Sequence, residues 1–220
     1  MRARNPLHHA EPLKNIYRRK KQDIAARLAE FGEIWNTGSD QNIFCELAFC
    51  ILTPQSKAKA CWASITRLSR EDLLFRGTPD QIKRDLHGVR FHNKKAEYLV
   101  NARDLFLRDG TGSVKQVIRA FSDILACRDW LVKNIKGFGY KEASHFLRNI
   151  GLGRELAILD RHILRNLLKL GVIENIPESI SRARYFQIER AMQVFAKEIR
   201  IPVSHLDLLL WYKETGEIFK

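Results

Sequence analysis

The sequence predicts an all-α fold. Apolar residues recur every three to four positions along most of the chain, and nowhere is there the sustained period-two alternation of a half-buried strand. Only 12 Gly and 6 Pro punctuate 220 residues, too few for the many turns of a β-fold. The hydrophobic share, 45%, is enough to bury a core, which excludes a disordered chain or a disulfide-stapled miniprotein.

From Lys14 to Ile34 and the adjoining Trp35, residues Ile16, Ile24, Leu28, Phe31 and Trp35 fall at helical spacing. Gly32 and the cluster Asn36 to Asp40 mark a loop. Ile43 to Leu52 is apolar nearly all round, as in a core helix. Thr53-Pro54 ends it, because proline disfavours the α region for the residue before it. Ser56 is placed to cap a helix from Lys57 to Leu68. Thr78-Pro79-Asp80-Gln81 combines a cap, a proline at the first helical position and the Gln of a capping box. An amphipathic helix follows from Asn93 to Leu107, with Ala96, Leu99, Val100 and Phe106 on one side. Ser113–Leu125 and Arg128–Ile135 read as two more helices. A turn holding Gly137 and Gly139 leads into a helix from Tyr140, and Ala157–Leu170, Ile180–Arg200 and Val203–Tyr212 complete the series.

Lys and Arg total 38 against 25 Asp and Glu, a formal charge of +13. The natural partner of such a surface is a polyanion, nucleic acid first and an anionic membrane surface second. Seven basic residues against Glu11 alone give residues 1–21 the character of a solvated basic arm. No apolar run approaches the roughly 20 residues of a membrane span, and Arg18-Arg19-Lys20-Lys21 stands where a secretory signal needs apolar residues. The cysteines, at 45, 50, 61 and 127, form no Cys-x-x-Cys pair and no metal-ligand spacing. They read as reduced, buried thiols of an intracellular protein.

The informative stretch runs from Leu131 to Ala143. Glycines at 137 and 139 allow positive φ and close approach of a nucleic-acid backbone. The free amides of the turn and of the helix start then suit a phosphate. An ordinary helix–turn–helix connection carries such glycines too. Lys141, two residues on, occupies the positive end of the next helix, where a cation is unfavourable. That position and desolvation in a cleft both favour a neutral amine, the nucleophilic form. An exposed surface lysine is the plain alternative. Asp160 sits at the N-cap of a later helix, where the amides favour a charged carboxylate; it is a simple cap or an electrostatic partner of Lys141. The 19-residue separation lets one helix and one loop bring both to one cleft.

Gly137-Phe138-Gly139-Tyr140-Lys141-x-Ala143 followed by Leu159-Asp160-x-His162 resembles the helix-hairpin-helix superfamily of DNA glycosylases. The longer string from Gly137 to Asn149 is similar to the type 2 8-oxoguanine DNA glycosylase/AP lyases of archaea and bacteria, and Leu52 to Ser56 and Lys220 also fit. The resemblance implies two helical subdomains flanking a DNA-binding cleft, residues 37–149 forming one and residues 1–36 with 150–220 the other, with the hairpin at about 128–149. It implies a double-stranded DNA partner containing 8-oxoguanine, whose base is flipped out of the stack. Lys141 would attack C1′ and form a Schiff base, and β-elimination would cut the strand 3′ to the lesion. Asp160 would stabilise the positive charge on the sugar and assist proton transfers. Lys136, Gly137 and Gly139 would hold the DNA backbone, and Gln55 would fill the gap left by the flipped nucleotide or stand as a polar loop residue.

In the type 2 group a C-terminal lysine helps read the base through its carboxylate, and Lys220 matches it. An 8-oxoguanine has an N–H at N7 where guanine has an acceptor, so an anion discriminates between them. Trp211 is a stacking platform for the base or a core residue, and Asp207, one turn earlier, would face the same pocket. No Cys follows 127, so the iron–sulfur cluster of related glycosylases is not expected, nor is any other metal or cofactor. The implied protein is a monomer working in the cytoplasm or on the nucleoid of a prokaryote. Alternatives are a glycosylase for another oxidised base, a non-catalytic DNA-binding module, and, from charge alone, a membrane-surface protein.

Overall fold

The computed structural model describes residues 10–107 and 113–220. All regular structure among them is helical: α1 Glu11–Asn36, α2 Asp40–Leu52, α3 Ala58–Arg70, α4 Leu73–Arg76, α5 Pro79–Asp85, α6 His92–Leu107, α7 Val114–Arg119, α8 Ile124–Asn134, α9 Tyr140–Asn149, α10 Arg161–Lys169, α11 Arg182–Ile199 and α12 Val203–Thr215. Among these residues no helix is long and apolar enough to cross a membrane. The four cysteines are buried and unpaired.

Among the described residues, side-chain caps open six of the twelve helices. Ser39, Thr78 and Ser113 each accept from the backbone amide three residues on and are answered by Asn42, Gln81 and Gln116, completing capping boxes. Several expectations are corrected. Gly32 marks no loop, since α1 runs through it to Asn36. Its bare backbone lies against Gly151, where a Cβ would come within 2.6 Å of the Gly32 Cα, so the missing side chains serve helix-to-loop contact. Ser56 does not cap α3; Lys57 is the N-cap and makes no side-chain bond. The 113–125 stretch is no single helix: α7 stops at Arg119, and the Asp123 carboxylate, accepting from the amides of Leu125 and Ala126, starts α8 four residues before the expected Arg128. The basic arm is helical from Glu11 onward, while residues 1–9 lie outside the described part.

The helices bury two apolar clusters. One gathers residues from Ile43 to Leu156. The other joins Ala10, Leu13, Ile24 and Phe31 of the first helical stretch to residues from Ala157 to Leu210. A buried ion pair ties them: Arg128 on α8 donates twice to Glu189 on α11, at 2.8 and 2.9 Å, and once to Ser144 on α9 at 3.1 Å. Glu189 also accepts from the Ala157 amide, and the Tyr185 hydroxyl donates to the Ala157 carbonyl. These bonds fix the backbone at Ala157, and the Asp160 amide turns back onto the Ile158 carbonyl at 2.7 Å, so α10 begins at Arg161 rather than at the expected Ala157.

Candidate active site

The turn between α8 and α9 presents Lys136 and Gly137 to solvent. Gly137 has φ +88, and a Cβ there would fall 2.7 Å from the Tyr98 ring, so no other residue fits without a shift. Gly139 is the N-cap of α9, and its amide is not free: it donates to Glu142 Oε2 at 3.0 Å. The other Glu142 oxygen lies 3.6 Å from Lys141 Nζ. One carboxylate therefore links the hairpin turn to the lysine.

Lys141 is half-buried in the first turn of α9 and reaches Thr53 Oγ1 at 3.5 Å. Asp160 caps α10, its Oδ1 accepting from the Ile163 amide at 2.8 Å. Both side chains line one cavity of about 880 Å³, and no ion pair within the described residues joins them directly. Gln55, Asp207, Trp211 and Lys220 line the same cavity. Trp211 stands edge-on to His162, with ring centroids 5.1 Å apart, while Leu208, Leu209 and Leu210 before it are buried. The Lys220 ammonium turns away into the protein, onto Glu46 and over the Trp62 ring.

The electrostatics of the cavity floor follow from burial. Asp207 is 4% exposed, and burial pushes its carboxyl up to about 7. Arg148, with Nη2 3.5 Å from Asp207 Oδ2, opposes that rise, whereas Asp160 adds to it. Burial, with the cations of Arg148, Lys141 and Lys220, holds His145 well below the usual imidazole range, so it is neutral at physiological pH. The floor thus offers a neutral imidazole, a carboxyl poised near neutrality and a guanidinium around one aromatic wall. A flat, polar heterocycle matches such a lining. Within the described residues no group of His, Cys, Asp and Glu is placed to hold a metal ion.

A protein-family model for 8-oxoguanine DNA glycosylase matches residues 24–201. The chain belongs to the 8-oxoguanine DNA glycosylase family. It is 46% identical over 208 residues to the 8-oxoguanine DNA glycosylase/AP lyase of Fusobacterium nucleatum, covering 94% of this chain and 96% of the relative. The crystal structure of the 8-oxoguanine DNA glycosylase of Thermotoga maritima superposes with a TM-score of 0.88 at 32% identity, over 98% of this chain and all of that one. The Methanocaldococcus jannaschii 8-oxoguanine glycosylase/lyase, solved with a 15mer DNA containing 8-oxoguanine, matches at TM-score 0.85 and 36% identity, over 94% and 99% of the two chains.

The fold brings Gln55, Lys141, Asp160, Asp207, Trp211 and Lys220 to one cavity and leaves Lys136 and Gly137 at the hairpin tip. Sequence reasoning missed His145 and Arg148. Their signal was present, because positions 141, 145 and 148 lie at i, i+4 and i+7 on one face of α9. Gln55 was named at the cavity rim, but the stretch facing it was missed: Arg90 also lines the cavity, and the next residue, Phe91, is 54% exposed and, like Gln55, left-handed, at φ 58 and 57.

Proposed function

We propose that this chain removes 8-oxoguanine from double-stranded DNA and then cuts the strand 3′ to the abasic site. What supports it above all is a half-buried amine, Lys141, sharing with Asp160 a cavity roomy enough to admit a flipped base, in a chain of this family. The neutral amine attacks C1′ as the bond to the base breaks. Opening of the sugar leaves an imine between Lys141 and C1′. The imine acidifies the 2′ proton, whose loss expels the 3′ phosphate. Asp160 stabilises the cationic sugar and relays protons to and from the lysine. Trp211 stacks on the flipped base, and Asp207 and Lys220 contact its polar edges. Gln55 enters the gap in the duplex, with Phe91 beside it. The DNA backbone is held at Lys136, Gly137 and Gly139. The Gly139 amide is freed for a phosphate when Glu142 lets go of it. The protein acts as a monomer on prokaryotic DNA, without an iron–sulfur cluster.

Borohydride reduction tests the reading. With a duplex carrying 8-oxoguanine opposite cytosine, a covalent protein–DNA band is expected with the parent protein. None is expected with Lys141→Gln or with undamaged duplex. A band that persists in Lys141→Gln overturns the catalytic assignment. Tight binding without any band on this lesion, but with one on an oxidised pyrimidine, points to the alternative substrate. Binding with no band on either leaves a non-catalytic module.

A further inference from the structure

Lys95 of α6 is 4% exposed, although an ammonium is among the costliest groups to bury. Its three donors are all used. Nζ donates to the Leu52 carbonyl at 2.7 Å, to the Pro54 carbonyl at 2.7 Å and to Ser56 Oγ at 3.1 Å. The first acceptor belongs to the last turn of α2, where carbonyls have no helical partner. All three lie in residues 52–56, the segment that contains Gln55 with its left-handed backbone. The Ser56 oxygen also accepts from the Arg90 amide at 3.0 Å, and Arg90 precedes Phe91, the second left-handed corner of the rim. One internal cation therefore fastens both corners. Burial, aided by Lys141 and Arg90 and opposed by Cys61 and Glu142, lowers Lys95 to about 8, so at neutral pH it is mostly the ammonium that makes all three bonds. A left-handed non-glycine residue persists only where its surroundings over-determine it, and these bonds supply that determination.

We propose that Lys95 is a positioning residue for DNA distortion, which braces the 52–56 segment and the Arg90–Phe91 corner so that Gln55 and Phe91 are held ready to enter the duplex. The proposal rests on the reading of Gln55 as the residue that fills the gap. It separates Lys95 from the chemistry: the lysine shapes the DNA before Lys141 acts.

Two quantities measured on one duplex separate the roles. The duplex carries 8-oxoguanine opposite cytosine with 2-aminopurine next to the lesion, whose fluorescence rises on unstacking. Lys141→Gln is the reference that distorts DNA without excising. Lys95→Met, which keeps the length and removes the charge, is expected to lose at least fivefold of the fluorescence rise and at least tenfold of the single-turnover excision rate. An intact rise with slow excision would mean that Lys95 serves the chemistry, and the proposal falls. It falls equally if both quantities match the parent. Should Lys95→Met fail to fold, Ser56→Ala, which removes one arm of the brace and the link to Arg90, must show the same paired loss; parent-like values for it overturn the proposal. Gln55→Ala is measured alongside. A full rise in that variant refutes the gap-filling reading on its own, whatever Lys95 does.

Discussion

Asp207 shares its burial with the nearby cation of Arg148, and the carboxyl titrates near 7 rather than near 4. The linkage to stability has a definite sign. Between about pH 4 and pH 7 the unfolded chain has released this proton while the folded chain keeps it, so rising pH costs stability across that window. Asp207→Asn lacks the titration. Its stability relative to the parent is expected to improve by a few kcal/mol from pH 4 to pH 7 and then level off, as followed by denaturant unfolding at each pH. A constant difference would show that Asp207 titrates normally. At this scale the sequence was legible where a residue carries a local signal. Asp160 precedes an apolar helix as a cap, and Lys141 stands out as a cation at the wrong helix end. Lys95 was not legible, because a lysine on a helix looks solvated until tertiary packing closes over it; Glu142, third residue of α9 behind the Gly139 cap, did carry a local capping signal that went unread.

Elements were read best where a cap announces them. Thr78 and Gln81 form the expected box, and the break at Thr53-Pro54 ends α2 as anticipated. The errors lie where tertiary bonds override local preference. Ala157 to Leu170 reads as one helix in sequence, yet Glu189 and Tyr185 of α11 take both backbone groups of Ala157, and the Asp160 amide bonds the Ile158 carbonyl instead of continuing a helix. That clamp is open to test. Glu189→Leu strands the buried Arg128 cation and should cost about 3–5 kcal/mol, with a matching fall in melting temperature. The double variant Arg128→Met/Glu189→Leu should recover much of it, since no charge is then left unpaired. If the single and double variants unfold alike, the pair does not act as a unit. A secondary consequence is expected in the excision rate, because the same clamp places Asp160.

For the whole molecule, a charge of +13 predicts steep salt dependence of DNA binding. Two neutralised phosphates suffice for about a tenfold loss of affinity between roughly 50 and 200 mM salt, and each further one steepens the slope by about 0.9. Fluorescence anisotropy at several salt concentrations measures it, and a flat line would remove the hairpin and its basic surroundings from the binding face. Composition and periodicity revealed the helical class at once. They could not reveal that one cavity gathers residues as distant as 55 and 211, because that depends on how two apolar clusters meet.

The second cluster has a history built into it. Ile24 and Phe31 of α1 pack with residues that begin at Ala157, whereas the first cluster spans a continuous stretch ending at Leu156. During translation, α1 therefore emerges well before its partners. About 120 residues separate it from them, roughly 6–24 seconds at ordinary elongation speeds. Throughout that interval its apolar stripe has nothing of its own chain to lie on except the cluster assembling behind it. Ile34 and Trp35, which do pack against that first cluster, give the waiting helix its mooring.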